Sequence, residues 1–137
     1  MSVSANEAKQ VAHAFYDSYN AGDLEASFAA YIHPDLVNHA LGGAFDRDGW
    51  KEFEKSFIAA FDDVTMTIFD QVAEGDKVAT RFALSGTQRA EFAGQPSLGK
   101  SASLTATAVD RVEGGKIVEH WNELDFSGFL RALAEEA

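Results

Sequence analysis

Two polar side chains near the end of the chain are the first candidates for chemistry. His120 and Asn122 lie two positions apart in the segment EHWNELDF. On a β-strand, residues at this spacing point to the same face. An imidazole titrates near neutral pH and can take a proton, while an amide N–H beside it can stabilise the resulting anion. We predict His120 as a general base and Asn122 as its catalytic partner. Contact with a ligand without chemistry, or a structural role in a filled core, would fit the same pair.

Further candidate ligand contacts lie in a loop and on a helix. The segment DLVNHALGGAF contains Asn38, His39 and the pair Gly42–Gly43. We expect this loop to close the mouth of a cavity, so that Asn38 and His39 contact a ligand; a solvated His39 is the alternative. Trp50 and Phe53 belong to an apolar helix stripe and are predicted first as core, and second as side chains that flank an aromatic ligand.

Composition and motifs exclude several classes of function. There is no cysteine, the four histidines are scattered, and no H-x-x-x-H or H-E-x-x-H pair occurs, so we predict no metal site. The phosphate-binding glycine motifs and the G-x-S-x-G elbow are also absent, and we expect no cofactor. A net charge of −11 argues against nucleic acid and membrane partners. With no leader or membrane-spanning run, we expect a soluble, cytoplasmic protein of one domain, residues 1–137.

The chain up to Asp63 has the periodicity of helices. Ser4 with Glu7 forms a capping box, Gly22 suits the end of the first helix, and Asp23 can cap the second. A third helix begins around residues 46–48. Their apolar stripes are, in order, Val11, Phe15 and Tyr19; Leu24, Phe28, Tyr31 and Ile32; and Trp50, Phe53, Phe57 and Phe61.

From Val64 to Leu124 the pattern alternates and predicts antiparallel strands, followed by a short helix from about Ser127. Asp125 precedes that helix and is predicted to cap it, with support of His120 as the alternative. The residues predicted to share one side of a strand are Met66, Ile68 and Val72, and then Val78, Phe82 and Leu84. In the last helix, the predicted inner residues are Phe129, Leu130 and Leu133. Helices followed by strands predict an α+β fold, with helices packed on a curved, mainly antiparallel sheet that encloses a conical cavity.

The hairpin VEGGKI decides which residues face that cavity. A two-residue turn at Gly114 and Gly115 would pair Val112 with Ile117. A three-residue turn with Gly115 in the left-handed conformation would pair Val112 with Lys116 instead. One residue of register exchanges the whole face of a strand, so the two turns predict opposite sites.

We favour the three-residue turn because it produces a wall suited to a ligand pocket. It places His120 opposite Ala108 and Asn122 opposite Ala106, whereas the other turn places Trp121 beside Ala108. The favoured inner face comprises Leu104, Ala106, Ala108, Val118, His120, Asn122 and Leu124. Small apolar residues with few convergent polar groups are typical of a binding site. The other face, with Trp121 as its large anchor, predicts a homodimer through the sheet.

Four segments carry a resemblance to a known family: YNAGDLEASFAAYIHPDLVNH, RDGWKEFEKSFIAAFDDVTM, AEGDKVATRFALSGTQRAEFAGQPSLGK and DRVEGGKIVEHWNELDFSGFLRAL. From about Glu7 to Leu133 the chain resembles the SnoaL-like polyketide cyclases, or ester cyclase-like proteins, of the NTF2-like superfamily of cone-shaped α+β barrels. The resemblance identifies the fold better than the reaction, because NTF2-like cones also host isomerases, dehydratases, hydrolases and binding modules.

In that family, the resemblance implies an intramolecular aldol ring closure without metal or cofactor. A carboxylate takes a proton from the carbon beside an ester or ketone, and the enolate attacks a carbonyl in the same molecule. The base aspartate matches Asn122, the cavity histidine Ala108, a glutamine Ala106, a loop asparagine Asn38, and two pocket positions Tyr19 and Phe53. An amide cannot accept a proton at neutral pH, so the family mechanism does not transfer unchanged.

The sequence therefore predicts a cofactor-free cyclase acting on a small aromatic or hydrophobic carbonyl compound. His120 is the predicted base, with Asn122 orienting or stabilising the enolate. A non-catalytic module that binds a small hydrophobic molecule is the alternative from another class. An isomerase, dehydratase or epoxide hydrolase on the same fold is the third hypothesis.

Overall fold

The computed structural model describes residues 4–40 and 45–135. The Gly42–Gly43 pair of the predicted loop lies outside the described residues. The elements in chain order are α1 (Ala5–Asp17), a short 3-10 helix (Ser18–Ala21), α2 (Leu24–Tyr31), β1 (Ile32–Asn38), α3 (Arg47–Ala60), β2 (Phe61–Glu74), β3 (Lys77–Gln88), β4 (Ser101–Glu113), β5 (Lys116–Leu124) and α4 (Phe126–Ala134).

The five strands form one sheet in the order β1-β5-β4-β3-β2. All neighbours are antiparallel except β1, which runs parallel to β5. Helix α1 packs against the sheet across β2 to β5, α3 packs against β1 and β2, and α4 packs against β4. The predicted α+β fold, with helices on a mainly antiparallel sheet and a short C-terminal helix, is confirmed.

Side-chain caps begin all four α-helices, as their sequences predict for three of them. Ser4, Asp23, Asp46 and Asp125 each accept a hydrogen bond from the backbone N–H three residues further on. Gly22 follows the short 3-10 helix with φ +78°, the left-handed conformation that glycine adopts without a steric penalty. Asp125 is therefore a cap, and the alternative in which it supports His120 is wrong.

Strand β1 replaces the loop predicted to follow the second helix. Its residues Ile32–Asn38 form the edge of the sheet beside β5, and Asn38 and Phe45 exchange two backbone hydrogen bonds of 3.1 and 2.9 Å. Pro34 lies within this strand and is exposed. Proline is tolerated on an edge strand because no further strand needs its missing N–H.

A bulge in β2 changes the side of the sheet on which Val72 lies. The pairing with β3 shifts between Ile68 and Asp70, so that residues beyond the shift change sides. Met66 is buried, but Val72 is 73% exposed and lies on the outer face. The prediction that Val72 shares the face of Met66 is therefore wrong, because one extra residue reverses the alternation.

The hairpin adopts the two-residue turn, which is the alternative to the favoured one. Gly114 and Gly115 form a two-residue turn, both with positive φ, and Val112 pairs with Ile117 rather than Lys116. The favoured three-residue turn is wrong.

A bulge in β5 nevertheless brings the predicted residues to the inner face. Val118 has no partner on β4, because Ile117 and Glu119 pair with two consecutive residues of that strand. This extra residue reverses which side chains of β5 point inward. His120 then lies opposite Asp110, and Asn122 lies opposite Ala108, one pair away from the predicted partners. Val118 itself is half-buried, and the fully buried Ile117 takes its predicted place in the core.

The core lies between the helices and the inner face of the sheet and is rich in aromatic rings. Phe15 makes edge-to-face contacts with four of them, Tyr16, Tyr19, Phe28 and Trp50. A second group around Phe92 and Phe129 fills the end near α4. Among the described residues, no helix is both long enough and apolar enough to span a bilayer.

Candidate active site

Two small cavities remain between the helices and the inner face of β4 and β5. Their volumes are about 40 and 30 Å³. The lining residues that they share are Trp50, Phe53, Glu54, His120, Asn122 and Leu124. Such volumes hold little more than one water molecule each, whereas pockets for organic ligands measure about 300–1,000 Å³. A polycyclic ligand would therefore require these walls to move apart.

A buried chain of hydrogen bonds holds His120 in place. Its Nδ1 lies 2.6 Å from Asp110 Oδ1 on the neighbouring strand. The Tyr16 hydroxyl donates to Asp110 Oδ2, also at 2.6 Å. These three side chains are at most 2% exposed. Since a carboxylate can only accept, Nδ1 carries a proton in this pair, and neutral His120 then has a lone pair at Nε2.

Two features favour the arrangement in which Tyr16 and His120 Nδ1 both donate to Asp110. Burial, and then the adjacent Asp110, raise the pKa of Tyr16 well above its ordinary value, so the phenol remains a neutral donor. His120 lines both cavities, and its Nε2 has no hydrogen-bond partner in the described part of the chain. The imidazole is thus held at one nitrogen and available at the other.

The Trp50 indole connects this network to a second acidic group. Its ring stacks on His120, with centroids 4.3 Å apart and planes at 24°. Its Nε1 donates to Glu54 Oε1 at 3.1 Å, one helical turn along α3. Burial raises the pKa of Glu54, although the Trp50 donor and a charged His120 oppose that shift. Burial and Glu54 raise the pKa of Tyr19 in turn.

Asn122 presents an unsatisfied polar group beside His120. Its Oδ1 is enclosed and has no hydrogen-bond partner among the described residues. Leaving a buried acceptor unsatisfied costs roughly 1–3 kcal/mol. A donor that enters the cavity would remove that cost. The amide faces Ala108 across the strands, and this methyl side chain leaves room for it.

Most of the other predicted contacts line the cavities. Tyr19 and Ala106 line the larger one, Asn38 lines the smaller one, and Trp50, Phe53 and Leu124 line both. Asn38 is buried, and its Oδ1 accepts a hydrogen bond from the backbone N–H of Ala40 at 2.8 Å. Ala108 is fully buried behind Asn122 and does not line either cavity.

His39 is turned away from the predicted site. Its Nε2 lies 2.8 Å from Glu119 Oε2, and its ring stacks on Trp121 at 5.2 Å. Glu119 also accepts a hydrogen bond from Arg111, so this cluster belongs to the outer side of the hairpin. In the described structure, His39 lines neither cavity, and the expected ligand contact is not supported.

Three residues of the site were not identified from the sequence: Tyr16, Glu54 and Asp110. Their positions nevertheless carried a signal. Asp110 has the strand parity of Ala106 and Ala108 and therefore shares their inner face. Glu54 is four residues after Trp50, on the buried stripe of a helix where a carboxylate is out of place.

The carboxyl and imidazole groups do not form a metal site in the described residues. Within residues 4–40 and 45–135, no three His, Asp or Glu side chains are grouped so that they could hold an ion. Asp110 and His120 are instead satisfied by each other and by Tyr16. The arrangement is suited to moving a proton.

The fold and the site agree with the comparisons to known proteins. The predicted NTF2-like fold is supported by an NTF2-like protein from Burkholderia pseudomallei, which is 19% identical over 94% of this chain and 98% of its own, with a TM-score of 0.73. The family model for SnoaL-like polyketide cyclases matches residues 9–133, and the chain belongs to that family. No curated protein sequence gave a significant match.

Several solved structures are similar over nearly the whole chain. IdmH from Streptomyces antibioticus, a candidate polyketide cyclase, is 35% identical over 93% of this chain and 99% of its own, with a TM-score of 0.82. A candidate polyketide cyclase from Acidithiobacillus ferrooxidans is 29% identical over the full length of both chains, with a TM-score of 0.78. AclR from Streptomyces galilaeus, a candidate hydroxylase, is 25% identical over 98% of this chain and 100% of its own, with a TM-score of 0.86.

Proposed function

We propose that the chain is a cofactor-independent cyclase that deprotonates a carbon acid and closes a ring by an intramolecular aldol addition. The substrate class is a small aromatic or hydrophobic compound that carries an ester or ketone and a second carbonyl. The observation that carries this proposal is the buried Asp110–His120 pair, whose histidine lines the same cavities as Asn122.

His120 supplies the base that the family pattern lacks at Asn122. Its Nε2 takes the proton from the carbon beside the carbonyl, and the bonding electrons pass into the enolate. Asp110 keeps the imidazole in the required tautomer and stabilises the imidazolium that forms, as in other Asp–His pairs. Tyr16 holds the second carboxylate oxygen, so Asp110 cannot rotate away from His120.

Asn122 stabilises the negative charge that develops on the enolate oxygen. No hydrogen bond engages its amide nitrogen in the described part of the chain, and the surrounding wall is largely apolar. A hydrogen bond to an anion is stronger in such a place than in water. The enolate carbon then attacks the second carbonyl, and the new carbon–carbon bond closes the ring.

Proton exchange at carbon tests the base directly. The probe is a methyl arylacetate with an ortho 3-oxobutyl chain, followed by NMR in D₂O. Wild-type protein should accelerate exchange at the carbon beside the ester, and His120→Ala should lower that rate by about 10²–10⁴-fold. Asp110→Asn and Asn122→Ala should each lower it by about 10²-fold or more. His13→Ala changes an exposed histidine of α1 and is the control.

A rescue variant distinguishes a missing base from a damaged fold. In the His120→Ala background, Asn122→Asp places a carboxylate where the family resemblance expects the base, and it should restore at least part of the exchange. Binding of the probe without acceleration by wild-type protein would refute the proposal. The chain would then be a ligand-binding cone.

A further inference from the structure

Glu54 is a carboxyl group inside the site that the reaction above does not use. Among the residues described, it is the only carboxyl that lines either cavity, and it lines both. The indole of Trp50 joins it to the base: Nε1 donates to Glu54 Oε1 at 3.1 Å, while the ring stacks on His120. An acid and a base are therefore held on one rigid aromatic ring.

The surroundings of Glu54 shift its ionisation toward the protonated form. Burial raises its pKa and is the largest cause, while hydrogen bonds from Trp50 and Tyr19 and the charge of a protonated His120 lower it. The other ionisable groups near these neighbours are Tyr16 and Asp110. The two tyrosines are neutral, because their pKa values are also raised. Trp50 donates to Oε1, and the Tyr19 hydroxyl is a second hydrogen-bonding neighbour of this carboxyl. A protonated Glu54 can carry its acidic proton on Oε2.

Ring closure requires such a proton. When the enolate carbon attacks the second carbonyl, the π electrons of that carbonyl move onto its oxygen, and an alkoxide forms in a largely apolar cavity. Without a proton donor, that charge would be poorly solvated. Two ionisable groups with opposite tasks in one site are a recurrent arrangement for acid and base catalysis.

We propose that Glu54 is the general acid of ring closure and donates its carboxyl proton to the attacked carbonyl oxygen. This assignment rests on the cyclase function proposed above. His120 Nε2 gains the proton from carbon, Glu54 loses one to the new hydroxyl, and the product is a β-hydroxy ester. Return of the proton from His120 to Glu54, directly or through water, restores the starting state.

Glu54→Gln tests the assignment because it keeps an oxygen that can accept from Trp50 while removing the acidic proton. Both rates are measured on the probe defined above, by NMR for exchange and by chromatography for the cyclised product. We expect exchange to stay within about threefold of wild type and closure to fall by about 10²–10⁴-fold. Glu52→Gln, an exposed position on the same helix, is the matched control and should change neither rate.

The pH dependence separates a proton donor from a structural contact. Wild-type closure should decline on the alkaline side as Glu54 ionises, and Glu54→Gln should lack that decline. Loss of a purely structural contact would lower exchange and closure together and leave the alkaline decline in place. That outcome overturns the assignment.

The remaining outcomes also decide the question. If wild type exchanges the proton but Glu54→Gln closes the ring at the wild-type rate, Glu54 is not the acid, and the base assignment survives. Loss of closure in Tyr19→Phe, with closure intact in Glu54→Gln, would move the role to the neighbouring phenol. If wild type accelerates neither step, the proposed function fails, and this inference fails with it.

Discussion

At the scale of single residues, the site depends on a carboxylate that is completely enclosed. Asp110 is 0% exposed, and its two oxygens are bound by His120 and Tyr16. Removing either donor leaves an oxygen of a buried carboxylate without a hydrogen bond, which is strongly destabilising. The partners are brought together from α1, β4 and β5, so the fold and the predicted base depend on the same contacts.

The stability of the chain should depend on the protonation of Glu54. Its pKa is raised on folding, so between its ordinary value and the raised value the native state binds more protons than the unfolded state. The free energy of unfolding then falls as pH rises through that window, by about 1.4 kcal/mol for each pH unit that separates the two pKa values. Glu54→Gln should remove this dependence and be more stable than wild type at pH 7, with the gain absent below the ordinary pKa.

Urea denaturation from pH 4 to pH 8 measures this difference, with Glu52→Gln as the exposed control on the same helix. A gain in stability that is constant across the whole range would contradict the linkage and would indicate an ordinary packing effect.

The sequence identified His120 and Asn122 because strand alternation places such a pair on one face. It did not identify Asp110, Tyr16 or Glu54, since each contributes through a partner on another element. The contact between Asp110 and His120 can be recognised only when the pairing of β4 with β5 is known. The contact between Trp50 and His120 likewise depends on how α3 lies on the sheet, which helical periodicity does not specify.

At the scale of elements, the direction of His120 results from two one-residue features that compensate each other. The turn at Gly114 and Gly115 alone would direct Trp121 inward, and the extra residue Val118 restores His120 to the inner face. A bulge leaves little trace in an alternating pattern, as the outward position of Val72 also shows. The side of the sheet on which a strand residue lies could therefore be predicted only up to the nearest bulge. The helix caps depend on residues that are close in sequence, so they could be predicted.

Glycine should be required at position 115 only because of the backbone conformation there. It has φ +77°, and an added Cβ would meet no atom within 4 Å. Gly115→Ala should therefore lower the free energy of unfolding by about 1–2 kcal/mol, the cost of a left-handed L-residue. Gly115→Asn should cost less, because asparagine tolerates this region better. Urea denaturation compares the variants, and equal stability of the alanine variant and wild type would show that the turn can relax.

At the scale of the whole molecule, the outer face of the sheet carries an apolar row opposite the site. Val72, Ala79, Val109 and Trp121 are successive cross-strand partners on β2, β3, β4 and β5. Val72 is 73% exposed, and Trp121 is covered in part by His39. We propose that a second copy of the chain covers this row. The formal charge of −11 on each copy opposes such pairing at low salt.

Sedimentation should therefore give a mass near twice 14.8 kDa, with tighter association in added NaCl, because salt screens the repulsion between two acidic chains. Val72→Asp introduces a charge at an exposed position of the row and should shift the protein to the monomer without lowering its thermal midpoint. Leu98→Asp adds the same charge at an exposed position elsewhere and should leave the dimer intact. A monomeric wild type, or equal dissociation by both variants, would contradict an interface on this face. Retained proton exchange in the Val72→Asp monomer would show that each copy of the chain works alone. This is expected because every residue assigned to the chemistry lies on the opposite face of the sheet or on the helices packed there.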